Sequence, residues 1–308
     1  MTNQPSIDQV AITLAALAYQ DQAGLDTGLG DPSLATRGNW ELQWGQATHL
    51  DNLAYVVGNG ERYCLAVRGT IMSVFNIFED IDVGLTAVPG SSDPTPMVSK
   101  GWADAVNNIL EATPDAGTPG AGTSLQAFLS SLPAGATMYV TGHSLGASTA
   151  QVLACWIKET FPNLVVEPHT FANPTAGTAD FAAYFAKLLP NSVRWDNAND
   201  NIPRGYGQLG AVRSSYAESG PLRCPDTARV ALDALEALLG RTTYVQAGTP
   251  SPPIELPIVP AAAGTTSDQW YAELGVQHSS YTYLHLLGAP LVSGQPAEPW
   301  PPQALPYK

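Results

Sequence analysis

The chain has 308 residues, of which 44% are hydrophobic and 13% charged, so it has enough apolar sequence for a sizeable core and does not resemble a disordered protein. Its formal net charge of −14 disfavours nucleic acids and anionic membranes as partners. These values favour a globular protein that acts on an uncharged substrate.

The ends of the chain and its cysteines exclude further classes. The N-terminus has neither the basic nor the apolar region of a signal peptide, and no apolar run is long enough for a membrane span. We therefore expect a soluble protein, either cytoplasmic or secreted after loss of a signal. Cys64, Cys155 and Cys224 allow at most one disulfide and lack metal-ligand spacing.

A helix and a hairpin are predicted in the first part of the chain. Ser6 can cap a helix whose apolar residues recur at helical spacing as far as Ala18, and a Gly- and Pro-rich loop is expected to about residue 37. Asn59-Gly60 separates two apolar runs, which predicts an antiparallel hairpin.

Two segments without a regular strand or helix pattern follow the hairpin. Residues 73–81 are crowded with large apolar side chains, among them Phe75, Ile77 and Phe78. They form either a buried helical turn or a mobile cover over a pocket. Residues 84–97 contain several Gly and Pro and predict a loop.

Predicted strands and helices alternate through the middle of the chain. Strands are expected at 137–140, 165–171 and 192–195, with helical patterns between them. This alternation predicts an α/β domain with a parallel sheet.

The C-terminal part is rich in Gly and Pro and contains one strong helix, 226–239. Its apolar residues lie almost all round the helix, so we expect it to be well covered. Residues 242–245 are the last candidate strand, 248–260 predict a loop, and 290–308 predict a Pro-rich surface tail.

The sequence Gly142-His143-Ser144-Leu145-Gly146 lies between a predicted strand and a predicted helix. Gly-x-Ser-x-Gly in that position is typical of a nucleophile elbow, which exposes the serine hydroxyl at the start of a helix. Since five such residues are also found in ordinary Gly-rich turns, the assignment of Ser144 as nucleophile requires a base and an acid elsewhere.

A serine nucleophile needs a histidine base, which follows both the serine and the acid in this architecture. Only His278 and His285 meet that order. His278 is the better candidate because it is predicted at a boundary between loop and helix, whereas His285 lies in a packed helical pattern. His143 is expected to be a packed or hydrogen-bonding side chain.

Asp200 is the expected acid, because it lies in a loop just past the predicted strand around residue 194. Asp196 is the alternative, and an Asp in such a loop can also be a turn or cap residue. Two fixed N–H donors must stabilise the oxyanion of the tetrahedral intermediate. We expect them from Leu145, which follows the nucleophile, and from Thr70 in the Arg68-Gly69-Thr70 turn.

The elbow together with Val67-Arg68-Gly69-Thr70 resembles the class 3 lipase family of α/β-hydrolases. Further stretches resemble that family's motifs: Asn76 with Asp80, Val98 to Trp102, Phe171 to Gly177, Arg194 to Pro203, and His278 with Tyr281. Some positions differ from the family pattern: Ser99 stands where His is usual, and Ala172 and Thr175 replace Gly and Arg.

This resemblance implies a single α/β-hydrolase domain, with a mostly parallel central sheet flanked by helices. It implies a lipase that cleaves acylglycerols through Ser144, Asp200 and His278, without a metal or other cofactor. Residues 73–82 would then be a lid that opens at a lipid–water interface, where Phe75, Ile77 and Phe78 contact the acyl chain. The insertion 204–264 would wall the acyl pocket or form an extra cap.

Two alternatives follow from the same residues. One is an esterase for short-chain, phenolic or polyester substrates that is not activated by an interface. The other, from a different class, is a catalytically silent binding scaffold, which the presence of all three triad residue types disfavours.

Overall fold

The computed structural model of the protein describes residues 4–69, 82–216, 222–258 and 266–293. The helices in these ranges are α1 (Ile7–Leu17), α2 (Gln22–Gly30), α3 (Lys100–Glu111), α4 (Leu125–Ser130), α5 (Leu145–Thr160), α6 (Ala179–Leu188), α7 (Leu209–Ser214), α8 (Asp226–Leu239), α9 (Thr266–His278) and α10 (Ser280–Leu286). The strands are β1 (Glu41–His49), β2 (Asn52–Asn59), β3 (Arg62–Val67), β4 (Leu85–Ala87), β5 (Met97–Ser99), β6 (Thr137–His143), β7 (Val165–Phe171), β8 (Gly177–Thr178), β9 (Val193–Trp195), β10 (Tyr244–Val245) and β11 (Thr249–Pro250).

Seven strands form the central sheet in the order β1-β2-β3-β6-β7-β9-β11. The first three pair antiparallel, and β2 and β3 form the hairpin predicted around Asn59-Gly60. From β3 to β11 all neighbours are parallel, as the alternation of strands and helices predicts. The carboxyl ends of β3, β6, β7 and β9 therefore meet at one edge of the sheet, where the loops that follow them converge.

Apolar side chains cover both faces of this sheet. Successive residues of β3 point to opposite faces, so Leu65 and Val67 belong to one apolar cluster and Cys64 and Ala66 to another. Helices α3 and α5 pack on the first face, while α1 and α10 pack on the second. All three cysteines are buried free thiols.

Helix α1 is anchored across the second face. Its N-cap, Ser6, forms a capping box with Gln9, in line with the predicted helix start. Asp8 pairs with the buried His169 of β7 at 2.7 Å, and Tyr55 donates to the carbonyl of Leu14 at 2.7 Å. Burial raises the pKa of Asp8, but the hydrogen bond to His169 and the proximity of Trp195 together outweigh burial, so the net shift of the pKa is downward. These contacts hold the end of α1 beside the carboxyl edge of the sheet.

Several connecting segments are more ordered than their composition predicts. Helix α2 lies within the stretch before residue 37 that was expected to be loop, because Asp21 caps it and Gly28 packs closely against Leu17. Strands β4 and β5 form within and just beyond 84–97. Both are too short to show a periodic pattern in the sequence. They form because β4 pairs with β5 and β5 pairs with β8.

Four short strands make a second, antiparallel sheet in the order β10-β8-β5-β4, which the sequence did not predict. The candidate strand at 242–245 belongs to this sheet, not to the central one. The last strand of the central sheet is instead β11, which lies in the expected loop 248–260 and pairs with β9.

The insertion 204–264 is partly integrated into the fold. Besides its two strands, it contributes Gln246, whose amide donates to the carbonyls of Asn173 and Pro203 at 2.8 and 2.6 Å. This single side chain joins the loops that follow β7 and β9. Helix α8 is not covered all round as expected: Leu232 and Leu235 are buried, whereas Val230 is 69% and Leu238 75% exposed.

Candidate active site

Ser144 lies at the sharp turn between β6 and α5. Its backbone has φ 60° and ψ −131°, a conformation that is unusual for a residue with a side chain and typical of a strained turn. A Cβ on Gly142 would overlap the backbone of Gly146, and a Cβ on Gly146 would overlap the carbonyl of Val67. The two glycines therefore permit the turn that holds Ser144 at the carboxyl edge of the sheet.

Ser144, His278 and Asp200 form a continuous chain of hydrogen bonds. The Oγ of Ser144 lies 2.8 Å from Nε2 of His278, and Nδ1 of His278 lies 2.9 Å from Oδ2 of Asp200. Since a carboxylate only accepts, Nδ1 donates to Asp200 and Nε2 is left to accept the proton of Ser144. The hydrogen bonds thus run from a nucleophile to a base to an orienting acid, as a catalytic triad requires.

The three side chains are enclosed by protein. Ser144 and His278 are each 3% exposed and Asp200 is 1% exposed. With so little water nearby, hydrogen bonds to a developing charge are stronger than they would be in solution.

Two further donors hold the carboxylate of Asp200. The N–H of Ile202 donates to Oδ1 at 2.9 Å, and the hydroxyl of Tyr283 donates to Oδ2 at 2.8 Å. Burial and the nearby carboxylates of Asp200 and Asp196 raise the pKa of Tyr283, so it stays protonated and keeps donating. Tyr283 was not among the residues predicted from the sequence, although its place in the helix directly after His278 was a usable signal.

The alternative acid and base lie elsewhere. Asp196 pairs with Nε of Arg194 at 2.9 Å, and burial raises its pKa to about 6. His285 lies in α10, in the packed helical segment expected for it. His278 itself is the last residue of α9, a helix that was not predicted from the sequence. The expectation of a loop before His278 was wrong because α9 is fixed by burial of Trp270 and Leu274, one helical turn apart.

Asp200→Asn should lower kcat by about 10³- to 10⁴-fold, because an amide can stabilise the wrong tautomer of His278 and carries no charge to stabilise its imidazolium. Asp196→Asn is the matched control, and we expect it to retain the wild-type kcat. Both are measured on a soluble nitrophenyl ester. A larger loss of kcat in Asp196→Asn than in Asp200→Asn would show that the acid has been assigned to the wrong carboxylate.

Of the two expected oxyanion donors, only Leu145 lies within the described residues. Leu145 is the first residue of α5, so its N–H has no partner within the helix and lies next to Ser144. Thr70 lies outside the described residues, as do Phe75, Ile77 and Phe78. Within the described ranges, no group of three His, Cys, Asp or Glu side chains could hold a metal ion.

His143, the residue before Ser144, is completely buried and points away from the hydroxyl of Ser144. Its Nδ1 lies 3.1 Å from the hydroxyl of Tyr19, and its Nε2 lies 2.7 Å from the carbonyl oxygen of His278. A packed or hydrogen-bonding role was predicted for His143 from the sequence, but its partners were not. Those partners are more than a hundred residues away in sequence, so only the tertiary structure reveals them.

Solved structures of lipases share this architecture. M37 lipase superposes with a TM-score of 0.81 over 92% of both chains at 23% identity. A triacylglycerol lipase described as having a serine protease triad superposes with a TM-score of 0.50, over 64% of this chain and 72% of its own, at 21% identity. Lipase II from Rhizopus niveus superposes with a TM-score of 0.51, over 66% of this chain and 75% of its own, at 21% identity. These likenesses establish the α/β-hydrolase fold.

A comparison with protein families adds the sequence relationship. Residues 64–209 match the model of the family described as lipase (class 3), and this range includes the elbow, Asp200 and the turn after β3. No helix in the described part of the chain is long and apolar enough to cross a membrane. Just under half of the chain thus matches the class 3 lipase family, and this match together with the fold of the solved lipases supports a carboxylic-ester hydrolase.

Proposed function

We propose that this protein is a lipase that cleaves acylglycerols with Ser144 as nucleophile, His278 as general base and acid, and Asp200 as the orienting carboxylate. The observation that supports these roles is the hydrogen-bonded chain from Ser144 through His278 to Asp200. The order of the three residues in the sequence is also the order typical of α/β-hydrolases.

In the first half of the reaction, the Oγ of Ser144 bonds to the ester carbonyl carbon while its proton passes to Nε2 of His278. The carbon–oxygen bond of the ester then breaks, and His278 returns the proton to the leaving alcohol. An acyl group remains on Ser144. Asp200 stabilises the imidazolium throughout, because it accepts from Nδ1.

In the second half, a water molecule replaces the alcohol. His278 takes one proton from this water, whose oxygen attacks the acyl carbon, and then returns a proton to Ser144 as the fatty acid leaves. In both halves the carbonyl oxygen becomes negative, and the N–H groups of Leu145 and Thr70 are the proposed donors to it.

The enclosure of Ser144 supports a reaction that depends on opening of the site. We propose that residues 73–82 are the lid and that opening is favoured by transient contact with a lipid–water interface. Phe75, Ile77 and Phe78 would then contact the acyl chain. The net charge of −14 favours an uncharged lipid surface over an anionic one.

Substrate dependence tests this function. We expect hydrolysis of an emulsified triglyceride, and a rate on a partly soluble triglyceride that rises sharply above its solubility limit. Nitrophenyl esters of increasing acyl length, all measured below their solubility limits, serve as the control for chain length alone. Saturation with soluble short esters and no rise above the limit would favour the esterase without interfacial activation. No turnover of any ester would favour the silent scaffold.

A further inference from the structure

His143 connects three parts of the molecule that lie far apart in sequence. It belongs to β6, its Nδ1 contacts Tyr19 just beyond the end of α1, and its Nε2 contacts the backbone of His278 at the end of α9. The imidazole is fully buried and lies edge-on to the ring of Tyr283. It therefore links the N-terminal helix directly to the backbone of the proposed base.

The partners of His143 define its tautomer. A carbonyl oxygen can only accept, so Nε2 carries the hydrogen and donates to the carbonyl of His278. In a neutral imidazole Nδ1 then accepts, and the hydroxyl of Tyr19 is the donor. The hydrogen bonds thus run in one direction, from Tyr19 to His143 to the backbone of His278.

His143 remains neutral in this position. Burial lowers its pKa well below the usual value, and the nearby ring of His278 lowers it further. The titratable groups that face it are Tyr19, His278 and Tyr283. A neutral His143 can hold His278 without adding a positive charge beside the imidazolium that forms during catalysis.

The carbonyl of His278 needs such a partner. His278 is the last residue of α9, and the final carbonyls of a helix have no partner within it. Without the N–H of His143, the backbone that carries the imidazole would lose a buried hydrogen bond at the point where α9 passes into α10. The position of the imidazole between Ser144 and Asp200 depends on that backbone.

Tyr19 also contacts the turn that precedes the proposed oxyanion donor. A Cβ on Gly69 would overlap the hydroxyl of Tyr19 and approach the carbonyl of His143 to 2.6 Å. The hydroxyl that orients His143 is therefore packed against the residue before Thr70. One buried contact brings together the end of α1, the end of β3 and the elbow.

We propose that Tyr19 and His143 are positioning residues, which hold the backbone of His278 so that its imidazole stays aligned between Ser144 and Asp200. The proposal rests on the proposed function, because it assumes that His278 is the base. Neither residue touches the ester. Tyr19 lies outside the part of the chain that matches the lipase family, so this role is assigned from the structure alone.

A matched pair of substitutions tests the bond to His278. The amide nitrogen of glutamine extends about as far from the backbone as Nε2 of histidine, whereas that of asparagine extends only as far as Nδ1. We expect His143→Gln to keep kcat within about threefold of wild type and His143→Asn to lower it by about 10- to 100-fold, with KM little changed in both. Equal kcat values in the two variants would overturn the proposal.

Tyr19→Phe tests the hydrogen bond between Tyr19 and His143, and Tyr55→Phe is its control. Each removes one buried hydroxyl bonded beside or within α1, so both should lower the melting temperature. Only Tyr19→Phe should also lower kcat, by about three- to tenfold. A loss of kcat in both variants, or in neither, would contradict a positioning role for Tyr19.

The tautomer gives a readout that does not depend on activity or on the stability of a variant. In ¹⁵N-histidine NMR of the wild-type protein, we expect His143, assigned by its loss in His143→Gln, to be neutral with the hydrogen on Nε2 across the pH range of catalysis. A hydrogen on Nδ1 would overturn the proposal. If Ser144→Ala remained active, the proposed function would fail while this spectrum still reported whether Tyr19 and His143 are connected as described.

Discussion

Ser144→Ala should lower ester turnover by roughly 10⁵- to 10⁶-fold while the protein remains folded. The hydroxyl is the only atom removed, and without it no acyl-enzyme can form. Alanine must adopt the same backbone angles as Ser144, so the strain of the turn is unchanged and the melting temperature should stay close to that of wild type. Hydrolysis of a nitrophenyl ester, together with circular dichroism, measures both quantities.

Ser148→Ala is the matched control for this experiment. Ser148 lies one turn further along α5 and is also buried, but its hydroxyl donates to the carbonyl of Pro174 at 2.6 Å. We expect this variant to be less stable and still active. A fluorophosphonate probe should label the wild type and the Ser148 variant but not the Ser144 variant. Labelling of all three, or persistent turnover by Ser144→Ala, would rule out Ser144 as the nucleophile.

His278→Ala should reduce kcat by a similar factor, because Ser144 then has no base within hydrogen-bonding distance among the described side chains. The effect should not add to that of Ser144→Ala, since the two residues act as one unit. Turnover of a soluble ester by the two single variants and the double variant measures this directly.

His285→Ala is the control for the base. His285 lies in α10, one helix beyond His278, and we expect its variant to keep the wild-type kcat. Fluorophosphonate labelling of Ser144 should become slow in the His278 variant and stay fast in the His285 variant. The opposite pattern would assign the base to His285 and leave the bond between Ser144 and His278 without a catalytic role.

The sequence by itself determined the class of the fold and the residues of the candidate site. Gly-x-Ser-x-Gly between a strand and a helix identifies Ser144, because the tight turn requires glycine two residues before and two residues after the serine. The order of residue types along the chain narrows the base to His278 or His285, and the predicted positions in loops favour His278 over His285 and Asp200 over Asp196. Their catalytic roles stay predictions, and so does the role of Thr70, which lies outside the described residues.

The tertiary structure decided what short or weakly periodic segments do. Strands of two or three residues, such as β8 and β11, show no pattern of their own and exist only because neighbouring strands pair with them. Helix α9 has little amphipathic character, so its presence before His278 depends on burial rather than on local propensity.

The hydrogen bonds around the triad also required the folded molecule. Tyr283 bonds to Asp200, and His143 bonds to Tyr19 and to the backbone of His278, each across a long stretch of sequence. A sequence motif records the local constraint on a turn. The distances that align a base between a nucleophile and an acid arise only when the carboxyl ends of parallel strands are brought together with helices from both ends of the chain.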